Sequence, residues 1–361
     1  QTTLLQGLRK IGDLGRITVF GDFVSTLACL AAVWLQGEDG LILFILLQPL
    51  AGALIALHYT RRLPKPTASR LSLFETWNVW KPMAKLGAAF MLGGLATAAT
   101  LLLVRGRISQ ELGLDAAGYF AATWGITMTY LGFLLGAMGT DYYPRLIEVI
   151  HDKVAAVQLM NDQTQLGLAI IGPGLLMLIG LAPWVITLLY SAKFEPAVTL
   201  LQWQTVGNVF KIASSALGFS IIASGRAKTF FLVELSFNIV FFVIVFAFMP
   251  HVGLEATAYA FVLGYLVHMS MIYLVVRSTI DFRWQSFSVS LLALHTSLGV
   301  ALLLLALMYP LAAAIASPLL AAVTGLFGLR IVLRKVGKQG RFPTKLYGIF
   351  ARLGWPIQPA A

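Results

Sequence analysis

Three formal charges stand well inside long apolar runs of this sequence: Asp22, Lys211 and Glu234. An ionisable group held in hydrocarbon costs at least ~2.5 kcal/mol unless paired or hydrated, so such residues usually face a polar cavity or one another. Lys211 lies near the middle of its run, in Val206-Gly207-Asn208-Val209-Phe210-Lys211, where small and polar neighbours let water or an anionic group approach. Its chemistry would be that of a fixed cation holding an anion. An ion pair with Glu234 on the following run, or snorkelling to the interface, is the structural alternative. Asp22 and Glu234 are candidates for a buried or coupling charge, although both are near enough to a run end to snorkel.

Tyr119, Thr123, Trp124, Thr127 and Tyr130 give the fourth apolar run one wettable stretch. Aromatic faces stack on sugars and hydroxyls bond them, while packing between helices is the competing use of the same residues. Candidate substrate contacts are therefore Lys211, Asn208, Lys85, Tyr119, Thr123, Trp124 and Thr127. No constellation suggests catalysis or a cofactor. Nothing matches a Gly-rich loop that cradles phosphates, so any transport is secondary or depends on a partner. The five histidines (His58, His151, His251, His268, His295) lack metal-ligand spacing and read as interfacial or packed. The lone Cys29 allows no intramolecular disulfide. No metal, cofactor or nucleic acid is expected.

The elements that must position these residues are long helices. Hydrophobic residues make up 58% of the 361 positions and charged ones 11%, against about a quarter charged in a soluble domain. A helix needs ~20 apolar residues to cross a ~30 Å hydrocarbon core, and ten such runs follow one another: Ile17 to Leu35, Gly40 to Tyr59, Met83 to Val104, Ala116 to Gly139, Gln165 to Leu189, Trp203 to Ala223, Phe230 to Met249, Gly253 to Val276, Val289 to Tyr309 and Leu311 to Leu329. A β-barrel would need short alternating segments instead. The fold class is all-α, a polytopic helical membrane protein with about ten transmembrane helices. The last two runs could instead form a re-entrant hairpin around Tyr309-Pro310. Of the 26 Lys and Arg residues, only Arg105, Arg107 and Lys193 fall in the odd-numbered connections, with Lys211 inside a run. The rest, including Arg62, Lys153, Arg226 and the basic tail, sit on the other side, which places both ends of the chain in the cytoplasm. Trp34, Trp80, Trp203 and Trp284 lie near run ends, at headgroup level.

Gly132 and Gly136 form a GxxxG pair, normally a close helix contact. Gly172-Pro173-Gly174 and Ala182-Pro183 should kink or break the fifth span. Gln6-Gly7-Leu8-Arg9-Lys10 and Ser224-Gly225-Arg226-Ala227-Lys228 recur at nearly the same offset as Gly40-Leu41 and Gly253-Leu254, which hints at a parallel duplication; chance matching is the alternative. Gln1 to Arg16 is amphipathic and basic without the apolar core of a signal peptide, and a start at Gln1 reads as a fragment of a longer chain.

Several stretches in order resemble the polysaccharide (O-antigen and lipid-linked oligosaccharide) flippases of the multidrug/oligosaccharidyl-lipid/polysaccharide exporter superfamily. They are Leu4-Leu5-Gln6-Gly7-Leu8-Arg9, Tyr142-Tyr143-Pro144-Arg145-Leu146, Leu188-Leu189-Tyr190-Ser191-Ala192-Lys193-Phe194, Trp203 through Lys211, Gly225-Arg226 and Glu234. The chain looks especially similar to the lipid III (enterobacterial common antigen) branch, from about Leu4 to Arg277. The resemblance implies two six-helix lobes around a central cavity, flipping an undecaprenyl-pyrophosphate-linked oligosaccharide across the bacterial inner membrane by alternating access. Other polysaccharide assembly proteins and membrane lipids would be its partners. It also implies that the first two spans here match the fifth and sixth of the family, so that the first four helices and part of the cavity wall are absent, and that the last two are an optional extra pair. The expected divisions are residues 1–82, a remnant of the N-terminal lobe; 83–276, the C-terminal six-helix lobe; and 277–361, the extra pair and basic tail. A drug/cation antiporter of the same superfamily, which would favour an acidic buried site, and an integral glycan polymerase or ligase, which would be expected to carry a sizeable external loop, are the alternatives.

Overall fold

The computed structural model describes residues 5, 11–37, 40–61, 72–337, 341–352 and 354–357. The Leu4–Arg9 segment apart from Leu5, Lys10, the stretch with Arg62, Lys65 and Arg70, and Lys338 lie outside the described residues. Among the described residues twelve α-helices follow in order: α1 (Ile11–Gln36), α2 (Gly40–Thr60), α3 (Leu73–Leu112), α4 (Leu114–Ala137), α5 (Tyr143–Val149), α6 (Lys153–Leu189), α7 (Ala197–Ala223), α8 (Ala227–Val252), α9 (Glu255–Ile280), α10 (Ser286–Met308), α11 (Pro310–Val336) and α12 (Arg341–Arg352). No strand occurs among the described residues. Nine helical segments among them are long and apolar enough to cross a membrane, and α2 covers the remaining expected run. Large apolar side chains such as Phe133, Leu188, Leu274 and Leu304 point outward, as lipid-facing surfaces require and a water-soluble surface would not tolerate in such number. The chain is a multi-pass helical membrane protein.

Two compact units divide the chain, Gln1–Thr76 and Trp77–Ala361. In the first, α1 packs on α2 around Leu5, Ile17 and Ala56, and Gly21 faces Gly52 closely. In the second, the most buried helix is α7, which touches α4, α6, α9 and α10.

Helix ends follow local chemistry. Ser72 and Glu75 cap α3 reciprocally, the Ser72 N–H donating to Glu75 Oε2 at 2.8 Å and the Glu75 N–H to Ser72 Oγ at 3.2 Å. Asp152 caps α6, accepting from the N–H groups of Val154 and Ala155 at 3.0 and 3.1 Å. These caps lengthen the helices beyond the apolar runs. α3 has 40 residues and α6 has 37, so residues 73–82 and 153–164, which lie outside the apolar runs, are helical. A π-helical turn, Met138–Tyr142, joins α4 to α5. There the fully buried Tyr142 donates its hydroxyl to the Ala216 carbonyl at 2.7 Å, pinning the Tyr-Tyr-Pro-Arg-Leu stretch to α7.

The re-entrant hairpin does not occur. Pro310 opens α11, where its missing N–H costs nothing, and α10 and α11 have 23 and 27 residues, each about 35–40 Å at ~1.5 Å per residue. Likewise α6 runs unbroken through Pro173 and Pro183. Gly132 and Gly136 face open space rather than another helix. Close approach is made elsewhere: a Cβ at Gly207 would lie 2.7 Å from the Phe261 ring and one at Gly264 2.9 Å from Phe237, while Gly180 and Gly328 let α6 and α11 meet backbone to backbone.

Candidate functional site

Within the second unit, helices α3, α4, α7, α8 and α9 enclose a cavity of about 390 Å³. Lys211 reaches it from the middle of α7. The Lys211 backbone carbonyl accepts the hydroxyls of Ser214 at 2.9 Å and Ser215 at 2.7 Å, and both serines line the same cavity. Its ammonium lies 3.6 Å from Met128 Sδ and 4.9 Å from the centre of the Tyr265 ring. Sulfur and a ring face are weak partners for a cation. No ion pair joins Lys211 to Glu234 among the described residues. Glu234 instead approaches His268, Oε1 to Nε2 at 3.6 Å.

An aromatic wall completes the cavity. Tyr265 stacks on Phe237 with ring centres 4.2 Å apart, Trp124 packs against Phe241 and Phe261, and Phe90 meets Phe230 across α3 and α8 at 4.6 Å. His268 Nδ1 is buried without a hydrogen-bond partner among the described residues. On the same α8 face, Asn238 donates to Thr97 at 3.2 Å and to the Glu234 carbonyl at 3.0 Å. The site thus offers one cation held by soft partners, one half-exposed carboxylate beside an imidazole, the hydroxyls of Thr97, Ser214 and Ser215, and several ring faces. That set suits an anionic group joined to a polar, stackable one.

Of the residues singled out from sequence, Lys211, Trp124 and Glu234 come together here. Thr123, Thr127 and Asn208 are fully buried beside it, in a ladder between α4 and α7. Thr127 donates to Gln204 Oε1 at 3.0 Å, Gln204 Nε2 to Thr123 at 3.3 Å, and Asn208 Nδ2 to the Tyr130 hydroxyl. Tyr119 packs edge-on against Phe194 near Ile186. Lys85 is exposed on α3. Asp22 is exposed on α1, in the first unit, its carbonyl accepting from Thr26 at 2.6 Å. Sequence reading missed Tyr265, His268, Met128, Ser214 and Ser215. The signals were available: Ser214 and Ser215 follow Lys211 by three and four residues, and Tyr265 and His268 share a helix face three apart. No group of His, Cys, Asp and Glu able to hold a metal occurs among the described residues.

No protein-family model matches the chain. It is 23% identical over 273 residues to the lipid III flippase of Escherichia coli (strain K12) and likewise to that of Shigella flexneri, an alignment covering 74% of this chain and 64% of each relative. The alignment therefore spans just under two thirds of those relatives' length. Among solved structures, the lipid II flippase MurJ in an inward closed conformation superposes with a TM-score of 0.55 at 14% identity, covering 86% of this chain and 66% of that one. In sequence this chain is similar to lipid III flippases, and in fold to a lipid II flippase.

Proposed function

We propose that this protein moves an undecaprenyl-pyrophosphate-linked oligosaccharide across the bacterial inner membrane, as a transporter rather than an enzyme, and that Lys211 contacts the pyrophosphate or the adjacent sugars. The observation that carries this reading is a mid-helix cation with no salt bridge among the described residues, set in a cavity with hydroxyls and aromatic faces. A pyrophosphate needs a cation and a glycan needs wet, stackable walls, while a polyprenyl chain can stay in lipid. Alternation of access between two lobes about such a site would accomplish the crossing. In this reading residues 1–82 are the end of one lobe with its connection, 83–276 the other lobe, and 277–361 an added pair and tail. Other polysaccharide assembly proteins would deliver the cargo and take it away.

A cation antiporter is supported by one observation, the half-exposed Glu234 carboxylate at the same cavity. The two readings separate on cargo. Purified with its native lipids, the protein should carry a polyprenyl-linked glycan detectable by mass spectrometry, and Lys211→Ala should lose it; an empty wild type that binds organic cations would favour the antiporter. The charge distribution supports cytoplasmic ends. Labelling of a Lys153→Cys variant in intact cells by an impermeant thiol reagent would reverse that orientation, whereas protection until the membrane is opened is the expected result.

A further inference from the structure

We infer that the groove between α10, α11 and the C-terminal segment binds an anionic membrane phospholipid, its phosphodiester held by Arg330 and Arg334 and an acyl chain laid along Phe287, Leu291, Leu294 and Phe327. The groove measures about 600 Å³ and is lined by these residues together with Ile357 of the tail. Arg330 and Arg334 are one turn apart on α11, so their guanidiniums open on one face. The C-terminal segment holds the first of them in place. Trp355 lies under the Arg330 guanidinium at 4.5 Å, and the Pro356 carbonyl accepts from its Nη2 at 3.1 Å. Arg330 makes no ion pair among the described residues, which leaves its charge to a ligand. Tyr347, Phe350 and Ile357 pack on Leu333, and the Tyr347 hydroxyl donates to the Leu333 carbonyl at 2.7 Å, which fixes that segment against the helix.

Charge decides the class of ligand. Arg334 makes no ion pair among the described residues. The nearby carboxylate, Asp162, is already engaged by Lys335, leaving the two guanidiniums uncompensated. A planar guanidinium matches a phosphate through paired N–H donors. A second cavity, of about 340 Å³, shares Phe287, Ile331 and Arg334 with the groove and adds the Asp162–Lys335 pair and the amides of Gln158, Gln165 and Gln285, which bond one another. A choline headgroup would bring its own cation beside two arginines, so a net-negative lipid fits and a zwitterionic one does not. The apolar side is already half-exposed, Leu294 at 45% and Phe327 at 53%, as a wall meeting acyl chains would be. This inference is independent of what the Lys211 cavity carries.

The test is native mass spectrometry of the purified full chain in detergent, titrated separately with phosphatidylglycerol, phosphatidylcholine, undecaprenyl phosphate and inorganic phosphate. Phosphatidylglycerol should bind in preference to phosphatidylcholine, and the Arg330→Gln/Arg334→Gln variant should bind it roughly 30-fold less tightly, corresponding to ~1 kcal/mol for each guanidinium. Leu294→Trp fills the apolar side without changing charge and should weaken phosphatidylglycerol as well; it stands in if the double variant fails to fold. Lys228→Gln, at another basic connection, should leave binding unchanged. Undiminished phosphatidylglycerol on both groove variants, equal binding of phosphatidylcholine, selective binding of undecaprenyl phosphate alone, or protection by inorganic phosphate equal to that by the lipid would each overturn the inference.

Discussion

Two polar arrangements occupy successive turns of α7, and they differ in how far the protein satisfies them: among the described residues the first leaves one buried atom, Asn208 Oδ1, without a hydrogen bond. Toward one end, Gln204 and Asn208 are bonded to Thr123, Thr127 and Tyr130 of α4, with none of the four residues other than Tyr130 exposed at all. One turn on, the Lys211 ammonium meets a thioether and a ring face with no salt bridge among the described residues, and it opens on a cavity that Glu234 also lines. A hydrogen-bonded ladder inside a bundle is glue: each bond there is worth about 0.6–2 kcal/mol because an apolar surround gives the freed groups few other partners. A part-buried cation with no salt bridge among the described residues is the opposite, a cost that the fold carries in order to keep a site open. Polarity alone therefore marks two different things on the same pair of helices. What distinguishes them is unmet bonding capacity next to space.

The contrast is sharpest in variants that separate stability from transport. Lys211→Ala should cut glycan export at least tenfold while leaving thermal stability equal or higher, because a part-buried charge without a salt bridge is removed; a variant that unfolds would instead make Lys211 structural. Gly207→Ala sets a Cβ 2.7 Å from the Phe261 ring, behind the cavity wall, and should cost about 1–3 kcal/mol of stability in a detergent melt through overpacking of α7 on α9. Gln204→Ala frees Thr123 and Thr127 and should cost about 1–2 kcal/mol, with export per folded molecule close to wild type. Export lost with stability kept would move the ladder into the substrate route. The smallest effect is expected of Thr97→Val, which removes one bond to Asn238 and should lower stability by about 0.5–1 kcal/mol.

The helical membrane fold was legible because its cause is local: ten apolar runs each long enough to span cannot be anything else in so weakly charged a chain. Helix ends were less so. The Asp152 cap and the Ser72–Glu75 box extend α6 and α3 past their apolar runs, and an apolar-run reading passes over them although both are present in the sequence. Packing partners were the least legible. Gly132 and Gly136 match a contact motif yet face open space, whereas Gly207, Gly264, Gly180 and Gly328, in no motif, make the close approaches. Lys211 could be read from one helix alone because a charge in a run is conspicuous. That Glu234 turns to His268 depends on how α8 and α9 pack, which no single run encodes.

The most direct test of the Lys211 site is surface glycan measured in a strain lacking its own flippase, complemented with the full-length protein as wild type, Lys211→Ala, Glu234→Ala and the double variant, each at matched membrane level. With Lys211 holding the cargo's anion, Lys211→Ala abolishes surface glycan, Lys211→Arg keeps part of it, and adding Glu234→Ala rescues nothing. If the two charges served only to balance one another, each single change would strand a buried charge and the double variant would export better than either; that result, or wild-type export by Lys211→Ala, would contradict a substrate site at Lys211.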